Sequence, residues 1–430
     1  MSQYARMISQ LKTPEVMKQL TSLYGPRDGM LLNQSMRYSR LLKKHEEVFH
    51  DDTSVYLISA PGRTEIGGNH TDHNRGKVLA AAVNLDTLAA VSPRRGMTVN
   101  IHSEGYQPLS VDLNDLSIHE EEKGTTASLV RGVAFKMKEA GLQIGGFDAV
   151  MTSTVRGGSG LSSSAAVEVL LCAIVDQLFN DNQLGAKQRA IFSQFAENVY
   201  FGKPSGLMDQ MASSVGGLAY IDFKEDDPEV RALQYDFAEK GYALVVVNSG
   251  GSHDDLTPDY AAIPAEMRAV ASYFGQQTLR DVLPEQFMQA IPLLRTALKG
   301  QNADRAILRA AHYFAENRRV SEEVDALQNN DLSAFLKLII ESGRSSYCYL
   351  QNIFSNASRQ ELALALMLSE VQLRRAGAWR VHGGGFAGTT LNFVPQKQLD
   401  HFVHEMESVF GAHSCDILDI RPVGPYCLKL

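Results

Sequence analysis

Residues 156–168 read Arg-Gly-Gly-Ser-Gly-Leu-Ser-Ser-Ser-Ala-Ala-Val-Glu. Gly157, Gly158 and Gly160 let the backbone turn tightly and approach a ligand closely. Ser162, Ser163 and Ser164 suit a helix N-terminus and leave hydroxyls there. Ala165, Val169, Cys172 and Val175 then recur at helical spacing. The first turn of a helix offers unpaired N–H groups and a partial positive charge to an anion. The stretch is either a phosphate cradle or an ordinary Gly/Ser turn before a helix, since both residue types are common in turns.

Two other stretches are dense in similar chemistry. Residues 62–76 concentrate Gly, Asn, His and Asp, including Asn69, His70 and Asp72. Such a run reads as a loop, either a long surface turn or a functional loop held on a rigid scaffold. Residues 383–388 read Gly-Gly-Gly-Phe-Ala-Gly. This matches the dinucleotide-binding pattern G-x-G-x-x-G, but that pattern requires a following helix. Here residues 389–394 read as a strand, so dinucleotide binding is rejected. A Walker loop is absent too, because Thr389 stands where that motif needs Lys.

The elements that must position these loops follow from periodicity. Residues 1–50 read as helical and polar, with Leu41, Leu42, His45 and Val48 on one helix face ending near His50. A strand at 54–59 breaks at Ala60-Pro61-Gly62-Arg63. Runs at 78–83, 87–91 and 99–102 read as successive antiparallel strands. A helix at 128–139 and a strand at 147–152 lead into the Gly/Ser loop, and a helix at 186–201 follows. Strands are expected at 218–223 and 243–248. Helical patterns at 266–274, 303–327, 333–345 and 361–375 precede strands at 378–382 and 390–394 and a helix at 398–409. The shift from strand-rich to helix-rich composition sets a division into residues 1–225 and 226–430.

Composition bounds the function. At 44% hydrophobic and 21% charged residues, the chain is an ordinary soluble globular protein. Its formal net charge of −8 argues against a nucleic-acid surface. Cys172, Cys348, Cys415 and Cys427 form no C-x-x-C pair and no zinc spacing, which suits free thiols in a reducing compartment. The first twenty residues lack the apolar core of a signal peptide. No run approaches the ~18 apolar residues of a membrane span. A cytoplasmic protein with no membrane or nucleic-acid partner, monomeric or weakly homo-oligomeric, is expected.

The order of the three loops resembles that of the GHMP small-molecule kinases, and within them the galactokinases. The family's first block reads Gly-Arg-x-Asn-Leu-Ile-Gly-Glu-His-Thr-Asp-Tyr-x-x-Gly. This chain has Gly62-Arg63-Thr64-Glu65-Ile66-Gly67-Gly68-Asn69-His70-Thr71-Asp72-His73-Asn74-Arg75-Gly76. Gly206-Leu207-Met208-Asp209-Gln210 and the segment from Asn248-Ser249 through His253 to Tyr260 also match, so the resemblance spans about residues 55–394. It implies an α+β GHMP kinase fold, with an S5-like N-terminal domain, a ferredoxin-like C-terminal domain and the active site between them. It implies ATP and Mg²⁺ as cofactors and galactose as the sugar phosphorylated at C1.

The resemblance also assigns roles. Gly158, Ser159, Gly160, Leu161, Ser162, Ser163 and Ser164 would wrap the ATP phosphates. Ser163 or Ser164, with Glu197, would hold Mg²⁺, an ion that prefers oxygen ligands. Asp209 would be the general base and Arg63 its cationic partner. Asn69, His70, Asp72, Gly206 and Tyr260 would contact the sugar, and His253 matches by spacing.

The chain departs from the pattern at several positions. Asn69 stands for the family Glu, Glu65 for Asn, His73 for Tyr and Arg156 for Pro, and Lys203 lies near Asp209. An uncharged Asn69 would not repel a C6 carboxylate, so a kinase for galacturonate or another C6-modified sugar is the nearest alternative. Kinases for homoserine or mevalonate fit the sugar-type block at 62–76 poorly. A non-catalytic sugar- and ATP-binding regulator is the alternative of a different class.

Overall fold

A computed structural model describes residues 2–27, 29–50, 54–157, 160–251, 256–354, 358–386 and 388–430. The polar N-terminal stretch is three helices, α1 (Gln3–Gln10), α2 (Pro14–Tyr24) and α3 (Met30–Phe49). Ser2 caps α1 by accepting the Ala5 N–H, and Pro14 opens α2 where no N–H is needed. Leu41, Leu42 and His45 are buried as their spacing predicts, and α3 ends at His50 in the left-handed conformation. The helices bury Leu11, Leu20, Tyr24 and Leu42 against Leu57 and Leu88 of the first sheet. Arg37 fastens them with a 2.6 Å ion pair to the buried Asp86.

The first sheet holds β1 (Tyr56–Gly67), β2 (Lys77–Pro93), β3 (Thr98–Ser103), β4 (Leu109–Asp112), β5 (Phe147–Ser153), β6 (Leu218–Asp222), β7 (Glu229–Leu233) and the C-terminal β12 (Tyr426–Cys427). Its main order is β12-β1-β2-β5-β3-β4, with β6 and then β7 continuing from β2. Three expectations fail here. The chain does not break at 60–63; β1 runs through Pro61-Gly62, with register shifts between Pro61 and Arg63 and between Glu65 and Gly67. Bulges of this kind bend a strand without ending it. The runs at 78–83 and 87–91 are one strand of 17 residues, β2, whose two ends pair with different neighbours, β6 and β5. Nor is the sheet wholly antiparallel, because β3 pairs with β5 in parallel.

Helices α4 (Thr126–Glu139), α5 (Ser163–Phe179), α6 (Ala186–Phe195) and α7 (Met208–Val215) belong to this half. Val130, Val133, Val169 and Phe192 pack on Val99, Ile101 and Ala149 of the sheet in one apolar cluster. The expected helix at 186–201 changes character at its end, where residues Ala196–Phe201 widen into a π-helical turn.

The second sheet is β8 (Tyr242–Asn248), β9 (Ala378–His382), β10 (Thr389–Pro395) and β11 (Cys415–Leu418). Its order, β11-β8-β10-β9, is antiparallel throughout and is the 4-1-3-2 order of a ferredoxin-like unit. Among the described residues, five helices fill the first crossover: α8 (Thr257–Tyr273), α9 (Pro284–Ala297), α10 (Ala303–Gln328), α11 (Leu332–Ser345) and α12 (Glu361–Leu373). A sixth, α13 (Leu399–Phe410), fills the second. Helix α9 and strand β7 carry no clear periodic signal in the sequence.

One apolar cluster joins the sheets: Ile66, Leu79 and Ala81 of the first meet Leu244, Leu391 and Phe393 of the second across Val320 and Val324 of α10. The expected division at 225/226 falls between the paired strands β6 and β7. The chain's end also returns to the first sheet, where Cys427 pairs with Ile58 and Arg421 reaches Asp86 at 2.9 Å.

Candidate functional site

The bulges of β1 turn Arg63 toward the start of α7 and the loop before α5. The Arg63 Nε–H donates to Asp209 Oδ1 at 2.7 Å, and its Nη1 donates to the Gly160 carbonyl. The Arg63 backbone N–H donates to the Leu161 carbonyl at 3.0 Å. Asp209 lies in the first turn of α7, and its other oxygen accepts from the Ser162 hydroxyl at 2.7 Å. Arg63 is buried, whereas the Asp209 side chain is 30% exposed and open to a ligand. Burial pushes the Asp209 carboxyl up, but the Arg63 charge and hydrogen bond, the Ser162 hydroxyl and Lys203 together bring it below its usual range. Asp209 is therefore an ionised, accessible carboxylate.

The loop around this pair is the Gly/Ser stretch. Gly158 and Ser159 lie outside the described residues. Gly160 has a φ of +72°, and a Cβ there would overlap Thr389 Oγ1 and sit 2.8 Å from His382 Nδ1. Only glycine fits, because His382 and Thr389, on either side of the 383–388 run, press against this loop. Leu161 is buried, Ser162 is left-handed at φ 58°, and α5 begins at Ser163. The half-exposed Ser162, Ser163 and Ser164 thus sit at the N-terminus of a 17-residue helix, the geometry that favours an anion.

Behind the loop, Glu197 is buried on the π-helical turn. Its Oε1 accepts from Lys203 Nζ at 3.0 Å, and its Oε2 accepts from Ser205 Oγ at 2.5 Å and Gln210 Nε2 at 2.8 Å. The Gln210 amide also donates to Glu168 Oε2 at 2.9 Å. Glu168 Oε1 and Gln210 Oε1 have no hydrogen-bond partner among the described residues. Burial, reinforced by the neighbouring Glu197, raises the Glu168 carboxyl well above its usual range. Sequence reasoning passed over Glu168 and Gln210 because each is unremarkable in its own segment. A carboxylate set between the apolar runs 165–167 and 169–175 of α5 was the available signal.

The first block divides into residues that face outward and residues that do not. His70 is left-handed at φ 56°, and its Nε2 lies 3.0 Å from the Gly384 carbonyl. A carbonyl only accepts, so Nε2 carries the proton and Nδ1 is the acceptor. Burial, with His73 adding to it, lowers the His70 ring to about 3, which keeps it neutral. The Tyr260 hydroxyl donates to the next carbonyl, Gly385, at 2.7 Å, and its ring meets Phe386 edge-on. Asp72 accepts from the His73 N–H at 2.9 Å. A Cβ at Gly206 would overlap Asp72 Oδ2, so these two predicted sugar contacts are neighbours.

Asn69 is different. It is 0% exposed. Its Nδ2 donates to Glu65 Oε1 at 2.9 Å and to the Gly383 carbonyl at 2.6 Å, and its Oδ1 accepts from Asn352 at 2.8 Å. The structure places it as a strut between the first block and the third loop. Its partner Glu65 is itself held by Arg380 at 2.7 Å. Arg380 and His382 were missed by sequence reasoning. Two basic residues at i, i+2 in a run that otherwise reads as apolar strand were the signal. His253 lies outside the described residues.

Known proteins resemble this chain along most of its length. Residues 43–93 match the galactokinase galactose-binding signature, and residues 128–217 match the N-terminal domain of GHMP kinases. The galactokinase of Actinobacillus pleuropneumoniae serotype 5b is 32% identical over 358 residues, 81% of this chain and 88% of that protein. The galactokinase of Streptomyces coelicolor is 31% identical over 359 residues, 82% of this chain and 88% of that one. Lactococcus lactis galactokinase complexed with galactose shares the fold at a TM-score of 0.78 and 24% identity, covering 91% of this chain and 99% of that chain. Methanococcus jannaschii mevalonate kinase shares it more distantly, at a TM-score of 0.61 and 14% identity, covering 85% and 98%. Relatives 31–32% identical along most of their length, with the galactose-binding signature and the GHMP N-terminal domain both matched, show that the chain belongs to the galactokinase family of GHMP kinases.

Proposed function

We propose that the chain transfers the γ-phosphoryl group of ATP to the C1 hydroxyl of D-galactose, giving galactose 1-phosphate and ADP. The observation that carries this reading is the Arg63–Asp209 pair set against the Gly160 carbonyl and the Ser162 hydroxyl. Phosphoryl transfer asks a protein mainly for positioning and charge stabilisation. The helix start at Ser162–Ser164 accepts the phosphates. Asp209, held ionised, accepts the proton of the attacking hydroxyl, a contribution typically worth ~10²–10⁴ in rate. Arg63 keeps that carboxylate charged and in line, and its guanidinium offsets charge on the moving phosphoryl group.

Asp72, His70, Gly206 and Tyr260 form the sugar wall. A carboxylate accepts from sugar hydroxyls, His70 Nδ1 accepts, and Gly206 leaves the room that Asp72 needs. Fixed polar groups of this kind reject an epimer that leaves one of them unpaired. Asn69 gives no opening to a C6 carboxylate, because its amide is spent inside the protein.

The oxygen donors fit Mg²⁺. Ser163 and Ser164 present hydroxyls, Glu197 a carboxylate, and beside it Glu168 and Gln210 each leave a buried oxygen unpartnered. Ser163, Ser164 and Glu197 would hold the ion, which supplies screening of the phosphate charge.

The test is turnover of the purified chain with ATP and Mg²⁺ against galactose, galacturonate, glucose, homoserine and mevalonate. Formation of galactose 1-phosphate is expected. Turnover of galacturonate without galactose sinks the reading. Tight binding of both galactose and ATP without product supports the non-catalytic regulator instead.

A further inference from the structure

We propose that His382 is a positioning residue for this reaction: its imidazole sets the aim of Arg63 and the floor of the phosphate loop at once. The inference rests on the sugar 1-kinase reading above. His382 closes β9 and is 2% exposed. Its Nε2 lies 3.0 Å from Thr64 Oγ1 and 3.3 Å from the Glu65 backbone nitrogen. Its Nδ1 lies 3.1 Å from Thr389 Oγ1. The Glu65 N–H can only donate, so Nε2 is the acceptor. Nδ1 then carries the proton and donates to Thr389. One tautomer satisfies every contact.

The placement of these contacts gives them their meaning. Residues 63–65 are the short regular piece of β1 between two register shifts. Bulges re-aim side chains, and a segment between two of them is poorly fixed by its ladder alone. His382 grips this piece at Thr64 and Glu65, the two residues that follow Arg63. On its other side the same ring and Thr389 lie directly under Gly160, whose carbonyl is the second partner of Arg63. Both ends of the Arg63–Gly160 contact therefore rest on one imidazole, and Asp209 inherits its place from Arg63.

The ring must also be neutral to do this. Burial, together with the nearby positive charges of Arg63 and Arg380, holds it well below the usual histidine range, against the weaker pull of Asp209. A neutral imidazole accepts on one edge and donates on the other. A lysine or arginine at this place could not accept at all.

The experiment compares His382→Gln with His382→Asn in the full chain. The Gln amide oxygen reaches the Nε2 position and can take the Glu65 N–H. The Asn amide reaches only the Nδ1 position, and so keeps the Thr389 side alone. The expected result is a kcat loss on the order of 10²-fold for His382→Asn, since small misplacements of a positioned group cost about that much. KM for ATP stays near that of the parent, and His382→Gln recovers most of the kcat. If His382→Asn does not fold, Thr64→Val carries the test by removing one donor to Nε2, with kcat again falling and KM for ATP holding.

Parent turnover of galactose is measured first, and its absence overturns the functional reading and this inference together. With an active parent, variants that match its kcat overturn the inference alone. So does an equal loss in both His382 variants that tracks a lowered thermal midpoint, because that is what a merely structural histidine gives.

Discussion

Arg63 and Asp209, 146 positions apart in sequence, meet with Nε and Oδ1 2.7 Å apart. The pair leaves the aspartate ionised, partly exposed and fixed at both oxygens, since Ser162 holds the other one. Replacing Asp209 by Asn keeps the shape and removes the carboxylate proposed to accept the proton. Turnover is expected to fall by ~10²–10⁴-fold while equilibrium ATP binding survives. Near-normal turnover in Asp209→Asn refutes the general-base role.

Arg63 makes a pH prediction. Burial raises the Asp209 carboxyl, and the Arg63 charge and hydrogen bond are the largest effects lowering it. Arg63→Gln takes away the charge and leaves burial opposed only by Ser162 and Lys203. Asp209 then protonates at a higher pH, so the acid limb of the kcat/KM profile moves upward. An acid limb that stays in place means that the carboxylate is not the titrating base.

Gly206 and Asp72 predict an effect confined to the sugar. The methyl of Gly206→Ala has no space beside Asp72 Oδ2 and must displace that carboxylate. Galactose affinity is expected to drop roughly 10–200-fold, the range of one misfit group in a pocket, with ATP affinity retained. Isothermal titration with each ligand separates the two. Unchanged galactose affinity places Asp72 away from the sugar.

Asn69 predicts the reverse pattern. Asn69→Ala strands the Gly383 carbonyl in the interior, at about 1–3 kcal/mol for a buried group left unpaired, and leaves the Asn352 amide only its contact with the Gly384 carbonyl. The midpoint of denaturant unfolding should fall, while the preference for galactose over galacturonate stays as in the parent. A variant that gains galacturonate turnover at unchanged stability puts this side chain at C6 after all.

Glu316 predicts part of the acid sensitivity. It is fully buried, receives N–H groups from Gly68 and Asn69 and the Ser342 hydroxyl, and pairs with Arg319. Burial alone would raise its carboxyl, but Arg319, His312, Arg380 and Ser342 lower it to about 2. A folded-state value below the unfolded one of ~4.3 means stability present above that pH and lost as pH falls toward 2. The stability gap between the parent and Glu316→Gln should therefore be widest near neutrality and close on acidification. Denaturant titrations at stepped pH read it, and a gap that grows in acid contradicts the assignment.

The loops that matter were legible because their chemistry is local. Glycines at 157–160 followed by three serines specify a turn and a helix start with no help from the rest of the chain. The helix face at Leu41, Leu42 and His45, and the strands flanking the 383–388 run, were legible for the same reason. The break at Pro61-Gly62 was misread because those residues usually end strands. Here β2 holds them from one side, with a bulge absorbing the mismatch. Strand β2 was split in two because its change of partner, from β6 to β5, leaves no mark in its own composition.

The sequence by itself determined the three loops and their order, since turns, caps and periodicity are set by near neighbours, and that order carries the resemblance from which ATP follows as phosphate donor. Only the tertiary structure decided which polar residues of the first block are buried and which stay partly exposed. Asn69 and Glu65 are as polar as Asp72, yet Gly383 and Arg380, more than 300 positions away, draw them inward. The role inferred for His382 was equally hidden, because it lies in contacts with Thr64, Glu65 and Gly160 that exist only when the two sheets close on each other. Burial and partner choice are long-range properties, and no local pattern encodes them.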